Sequence, residues 1–329
     1  MFKNKMWIVV VGVLLVYGIL FYLDVYKILV FDIHPHDNYE NIVKYFQGEL
    51  SLGDMISPYF YRFGYTYPAF LFSKLDVLLV DFSHSITFTR QEKIIFQGLA
   101  MVNTLSFLGL GALTFLISQT LGFGRLTSLV VLLINLELLK FTAFFGIDPT
   151  TIAAIALLYF FCTKEWYQAA MVALLLSFLI NEKIGPIFFV FGGINYFLNR
   201  KKMDLYFVVV PSLISIISYL VLIKIVPLDN FPSQMDFLSY PYRFVQSFRS
   251  VFTGQGMLKI ALPLVIFSII SYQTKLYKPL FITLVFWTWG MCLSMQNDIG
   301  RMVMITLPFY IPSLNVFVEK YFGTKVDIV

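Results

Sequence analysis

Charge is what this chain has least of. Of 329 residues, 24 are Lys or Arg and 19 are Asp or Glu, 13% together. That is about half the share of an ordinary soluble domain. Histidine occurs three times and cysteine twice, as Cys162 and Cys292. Two thiols supply neither a zinc ligand set nor a disulfide framework, so both are read as apolar packing groups and no metal site is assigned. No P-loop, nucleophile elbow, zincin helix or dinucleotide glycine pattern occurs, and Gly122-Phe123-Gly124 is an isolated pair. The net charge of +5 is spread over short segments, none long enough to follow a phosphate backbone. Nucleic acid is therefore not an expected partner. Neither repeats nor low-complexity tracts divide the chain, and 1–329 reads as a single domain.

What fills the space is apolar. Hydrophobic residues make up 59%, including 36 Phe and 20 Tyr, and the mean hydropathy is +0.79. The runs are too long and continuous for the alternating ten-residue strands of a membrane barrel. The reading is an all-α polytopic membrane protein with about ten transmembrane helices. Candidate spans are 6–30, 94–119, 126–145, 149–163, 166–180, 184–198, 205–226, 258–272, 277–295 and 302–318. The first follows Lys3 and Lys5 and lacks a small-residue cleavage site after it, so it reads as an uncleaved helix rather than a signal peptide. With the N-terminus inside, Arg200-Lys201-Lys202, 273–278 and 319–325 fall on the cytoplasmic side, as the positive-inside rule requires. Both termini are then cytoplasmic, and the expected location is a plasma membrane, bacterial inner membrane by type. Residues 31–93 become a long extracytoplasmic first loop with amphipathic interfacial helices, and 227–257 a second such loop. Within the first, 64–82 is apolar but carries Lys74 and Asp76. It is expected to lie in the interface or to re-enter, not to cross.

The same threading brings the few polar clusters out on one face. Charges near membrane depth are costly and usually mark a site. His34-Pro35-His36-Asp37 follows the first span, and Asp37 reads either as a helix cap or as a general base. Tyr61-Arg62 lies in an aromatic stretch, where a guanidinium grips either a headgroup or a substrate phosphate. Asp148-Pro149 is a helix-start signal at the same face. Asn181-Glu182-Lys183 makes a polar turn whose adjacent Glu and Lys are expected to neutralise each other. Asp298 and Arg301 stand three apart, on one helical face, and are expected to pair.

These motifs, in this order and on one face, resemble the GT-C superfamily of integral-membrane glycosyltransferases. Its first outer loop carries a catalytic acid, and its HPDE-type motif is similar to His34-Pro35-His36-Asp37, where the acid comes one place later. Arg62 followed by Tyr67-Pro68, the turn 181–183, and Asp298-x-x-Arg301 with Pro308 downstream are similar to later motifs of related bacterial proteins. The resemblance implies an inverting transferase that moves a sugar from a polyprenyl-phosphate-linked donor to an unidentified acceptor on the extracytoplasmic side. Asp37 would be the base. His34, His36, Arg62, Asp148, Glu182, Lys183, Asp298 and Arg301 would bind substrate. No cofactor and no divalent metal would be needed, and membrane lipids would be the remaining partners. Two other classes fit the same residues: a transporter or flippase for a lipid-linked or anionic solute, and a structural membrane subunit.

Overall fold

The structure, a computed structural model, describes residues 2–31, 37–51, 62–81, 88–142, 148–225, 239–253, 261–292 and 299–323. Every regular element among them is helical: α1 (Phe2–Phe31), α2 (Asp37–Gln47), α3 (Phe63–Ser73), α4 (Arg90–Thr120), α5 (Arg125–Thr142), α6 (Asp148–Thr163), α7 (Tyr167–Leu175) and α8 (Ile184–Asn199). There follow α9 (Lys202–Ile225), α10 (Tyr240–Val251), α11 (Leu262–Thr274), α12 (Lys278–Cys292), α13 (Ile299–Met304) and α14 (Ile311–Phe322). Three of these, α4, α9 and the stretch Met6–Val30 of α1, are long and apolar enough to cross a membrane; α6, α8 and α11 are shorter apolar helices.

Helix α4 is the axis of the assembly and packs against α1, α3, α5 and α6. Its start is fixed by a capping box in which Thr89 and Glu92 satisfy each other's backbone amides. It runs antiparallel to α1, with Phe21 stacked on Phe107 at 4.1 Å and Trp7 edge-on to Phe115 at 5.1 Å. A large apolar cluster joins these helices to α6 and α8 through Leu99, Leu110, Ile155 and Phe188. A second one gathers Ile117, Phe267, Leu307 and Tyr310.

Two expected spans are broken rather than straight. The stretch 166–180 forms α7 and then a tight turn, Ser177–Leu179, because the Ser177 hydroxyl bonds the Leu174 carbonyl (2.8 Å) and Ser215 (2.9 Å). The stretch 302–318 divides at the 3-10 turn Leu307–Tyr310. Pro308 there has no amide to donate and Pro312 opens the next helix. Helix α9 widens into a π turn at Leu205–Val209, just before Pro211; a proline inside a helix displaces the carbonyl four residues earlier.

Of the segment 64–82, the described residues 64–81 do not form one continuous helix. The chain makes the 11-residue α3, about 16 Å long and too short to cross, and leaves helical structure near Asp76, which takes a φ of 48°. Tyr65, Thr66, Ala69 and Ser73 are buried, and the contact with α4 is backbone-close. A β-carbon on Gly98 would stand 2.4 Å from the Ala69 carbonyl oxygen. Helix α2 lies across α3, with Phe46 among Phe63, Tyr67 and Phe70. Its Lys44 bridges Glu40 (2.5 Å) and Glu92 (3.5 Å).

Candidate functional site

Arg62 caps α3, and its carbonyl accepts from the Tyr65 and Thr66 amides and the Thr66 hydroxyl. The side chain makes no cap bond and reaches the turn before α8. There the guanidinium meets Glu182 as a fork, Nε to Oε2 at 3.1 Å and Nη2 to Oε1 at 2.5 Å. The pair is largely withdrawn from solvent, with side-chain exposures of 6% and 16%. Parallel paired bonds fix orientation as well as charge, which a lysine at this position would not do. Burial pushes the Glu182 carboxyl up, but the charge and hydrogen bond of Arg62, helped by Lys183, more than offset it and hold the group below the usual carboxylate range.

The turn that carries Glu182 is itself pinned. Asn181 is fully buried; its amide donates to the Thr151 hydroxyl at 2.8 Å, and its carbonyl oxygen accepts the Lys183 amide at 3.0 Å. That is the Asx geometry expected of Asn in a turn. Gly64, two positions after Arg62, permits a close approach to Ile180, since a β-carbon there would fall 2.6 Å from the Ile180 side chain. Asp148, 2% exposed, opens α6 with Pro149 behind it, one helical turn before Thr151. Thr150 bonds Ser106 of α4 at 2.9 Å, and Asn103 reaches the Tyr65 hydroxyl at 3.4 Å.

Of the residues the sequence singled out, Arg62 and Glu182 are in direct contact, and Lys183 and Asp148 stand on the segments that Asn181 and Thr151 tie together. The Glu182 carboxylate takes Arg62, 120 positions away, as its hydrogen-bonding partner, because a fork fits a carboxylate better than a neighbouring ammonium does, and the adjacent Lys183 adds its charge. Asp37 and Arg301 are described through their backbones alone, within α2 and α13. His34, His36 and Asp298 lie outside the described residues. The site also uses Tyr65, one of the tyrosines of the aromatic stretch around Arg62, and three residues outside the sequence motifs, Asn103, Ser106 and Thr151. Asn103 carried a signal, an amide in the middle of an apolar run. The hydroxyls carried none, because Ser and Thr also bond their own helix's carbonyls, as Thr104 does.

The half-exposed ion pair of Asp24 with Lys140, at 3.4 Å, joins α1 to α5. Set against protein-family models, curated proteins and solved structures, the chain matches none.

Proposed function

We propose that the chain is a multi-pass membrane glycosyltransferase with about ten spans and both termini in the cytoplasm of a bacterium. In this reading it uses a polyprenyl-phosphate-linked sugar on the extracytoplasmic side. What supports the reading is the buried Arg62–Glu182 fork, carried on a turn that Asn181 ties to α6, the helix that Asp148 opens. A cation kept there by its own counter-charge suits a site that receives a lipid phosphate. Glu182 acts as a positioning residue that aims Arg62. The phosphate is assigned to Arg62, Lys183 and Arg301, and the sugar to His34, His36, Asp148 and Asp298.

The chemistry balances without a cofactor or a metal. The acceptor hydroxyl oxygen attacks the anomeric carbon from the face opposite the phosphate, and the bond from that carbon to the phosphate oxygen breaks. Asp37 takes the hydroxyl proton. The polyprenyl phosphate leaves with the bonding pair, and the cations stabilise its growing charge.

The test is transfer by purified protein from a panel of polyprenyl-phosphate sugars, with Asp37→Asn beside the wild type. Asn keeps the size of Asp and its capping ability, so folding is expected to survive while turnover falls roughly a hundredfold or more. An Asp37→Asn protein as active as wild type excludes this base. No transfer by wild type across the panel, together with movement of the same lipid between leaflets, identifies a flippase instead.

A further inference from the structure

The helix α10, Tyr240-Pro241-Tyr242-Arg243-Phe244-Val245-Gln246-Ser247-Phe248-Arg249-Ser250-Val251, has three faces where a surface helix of a soluble protein has two. One face is covered: Ser247 is fully buried, and Phe244 and Val251 pack with Trp287 and Met291 of α12. At 100° per residue, Pro241, Val245, Phe248 and the C-cap Phe252 fall together on a second arc about 60° wide. Val245, Phe248 and Phe252 there are 49%, 45% and 73% exposed. A third arc carries Tyr242, Gln246 and Arg249, with the Gln246 amide donating to the Tyr242 hydroxyl at 2.6 Å. No acidic residue occurs anywhere in the helix, while Arg243 and Arg249 both do.

We infer that α10 lies in the plane of the membrane surface and binds lipid, with Val245, Phe248 and Phe252 in the acyl region and Arg249, helped by Arg243, on headgroup phosphates. Three observations favour a bilayer over a protein as the cover of the apolar arc. The neighbouring arc is aromatic and basic with no acid, the composition that meets anionic headgroups. The helix docks on the last turns of α12, next to Trp287 and Met291, so it sits at the end of that helix rather than along its length. Below it, α12 continues with exposed Phe281, Leu284 and Val285. The same lipid would cover those side chains as well. This inference rests on the membrane-spanning part of the proposed function and not on its chemistry.

Nitroxide labels in proteoliposomes decide it. In a Cys162→Ala, Cys292→Ala background, single cysteines replace Val245, Phe248, Gln246 and, as the control on α12, Leu284. Labels at 245, 248 and 284 are expected to collide with oxygen and to be shielded from a water-soluble nickel chelate, and the label at 246 to show the reverse. Separately, Arg249→Gln is expected to lower the preference for a spin-labelled anionic phospholipid over a zwitterionic one roughly fivefold, the share of one basic residue near a charged surface. Nickel access at 248 with oxygen access at 284 overturns the α10 assignment alone. Shielding of 248 from both reagents overturns it in favour of a protein cover. Nickel access at 284 defeats the membrane reading itself.

Discussion

At the scale of single residues, the fork between Arg62 and Glu182 is where charge, burial and position coincide. Removing one partner of a buried pair strands the other, at a cost of about 3–5 kcal/mol. Arg62→Ala and Glu182→Gln are each expected to lower the thermal unfolding midpoint of the detergent-purified protein. Replacing both at once should cost less than the sum of the single changes, because no uncompensated charge remains. Equal and additive losses would mean that the two side chains do not depend on each other. The pair also sets a pH dependence. Glu182 titrates below its ordinary value in the folded chain, so its contribution is present above the unfolded carboxylate's value, about 4.3. That contribution is lost as pH falls through the lower folded value. The gap in midpoint between wild type and Glu182→Gln should therefore be constant from neutral pH to about 5 and should shrink on further acidification. A gap that grows with acid contradicts the assignment.

At the scale of elements, much was legible because local signals acted alone. Asp148-Pro149 announced the start of α6, and the amide of Asn181 announced its turn. The breaks at Ser177–Leu179 and Leu307–Tyr310 were less visible, since each is set by a side chain that finds a carbonyl or by a proline inside a run otherwise apolar enough to span. The position of α3 was illegible for a different reason. Composition places an apolar segment against lipid or against protein with equal ease, and only the bare backbone of Gly98 under Ala69 decides for protein. Gly98→Leu is expected to push α3 off α4, because the carbonyl it would strike is backbone and cannot rotate away. Limited proteolysis after residue 62 should then speed up markedly, while Gly109→Leu, which meets nothing within 4 Å, should leave the rate unchanged. Equal rates in the two variants would show that the α3–α4 contact is not maintained by that glycine.

At the scale of the whole molecule, the described ion pairs and lysine contacts sort into two ends. Lys201 pairs with Glu165 at 3.8 Å, Lys320 reaches the Gln273 carbonyl at 3.1 Å, and Lys278 donates to Asn195 while resting 4.4 Å from the Phe191 ring. These are the connections after α6, α8 and α11 and the last helix, and they gather away from the Arg62–Glu182 end. In sequence terms Lys278 is a positive charge in a short loop; its bond to Asn195, 83 positions earlier in the chain, is a long-range contact that no local pattern encodes. Orientation remains a matter of charge, and the basic end is expected in the cytoplasm. A cysteine at Lys201, in a Cys162→Ala, Cys292→Ala background, should resist a membrane-impermeant maleimide in intact cells and react only after permeabilisation. A cysteine at the exposed Leu79, beside α3 at the other end, should react in both. Labelling of the 201 position from outside would invert the molecule. It would also move the Arg62–Glu182 site to the cytoplasmic face and rule out transfer to an extracytoplasmic acceptor there.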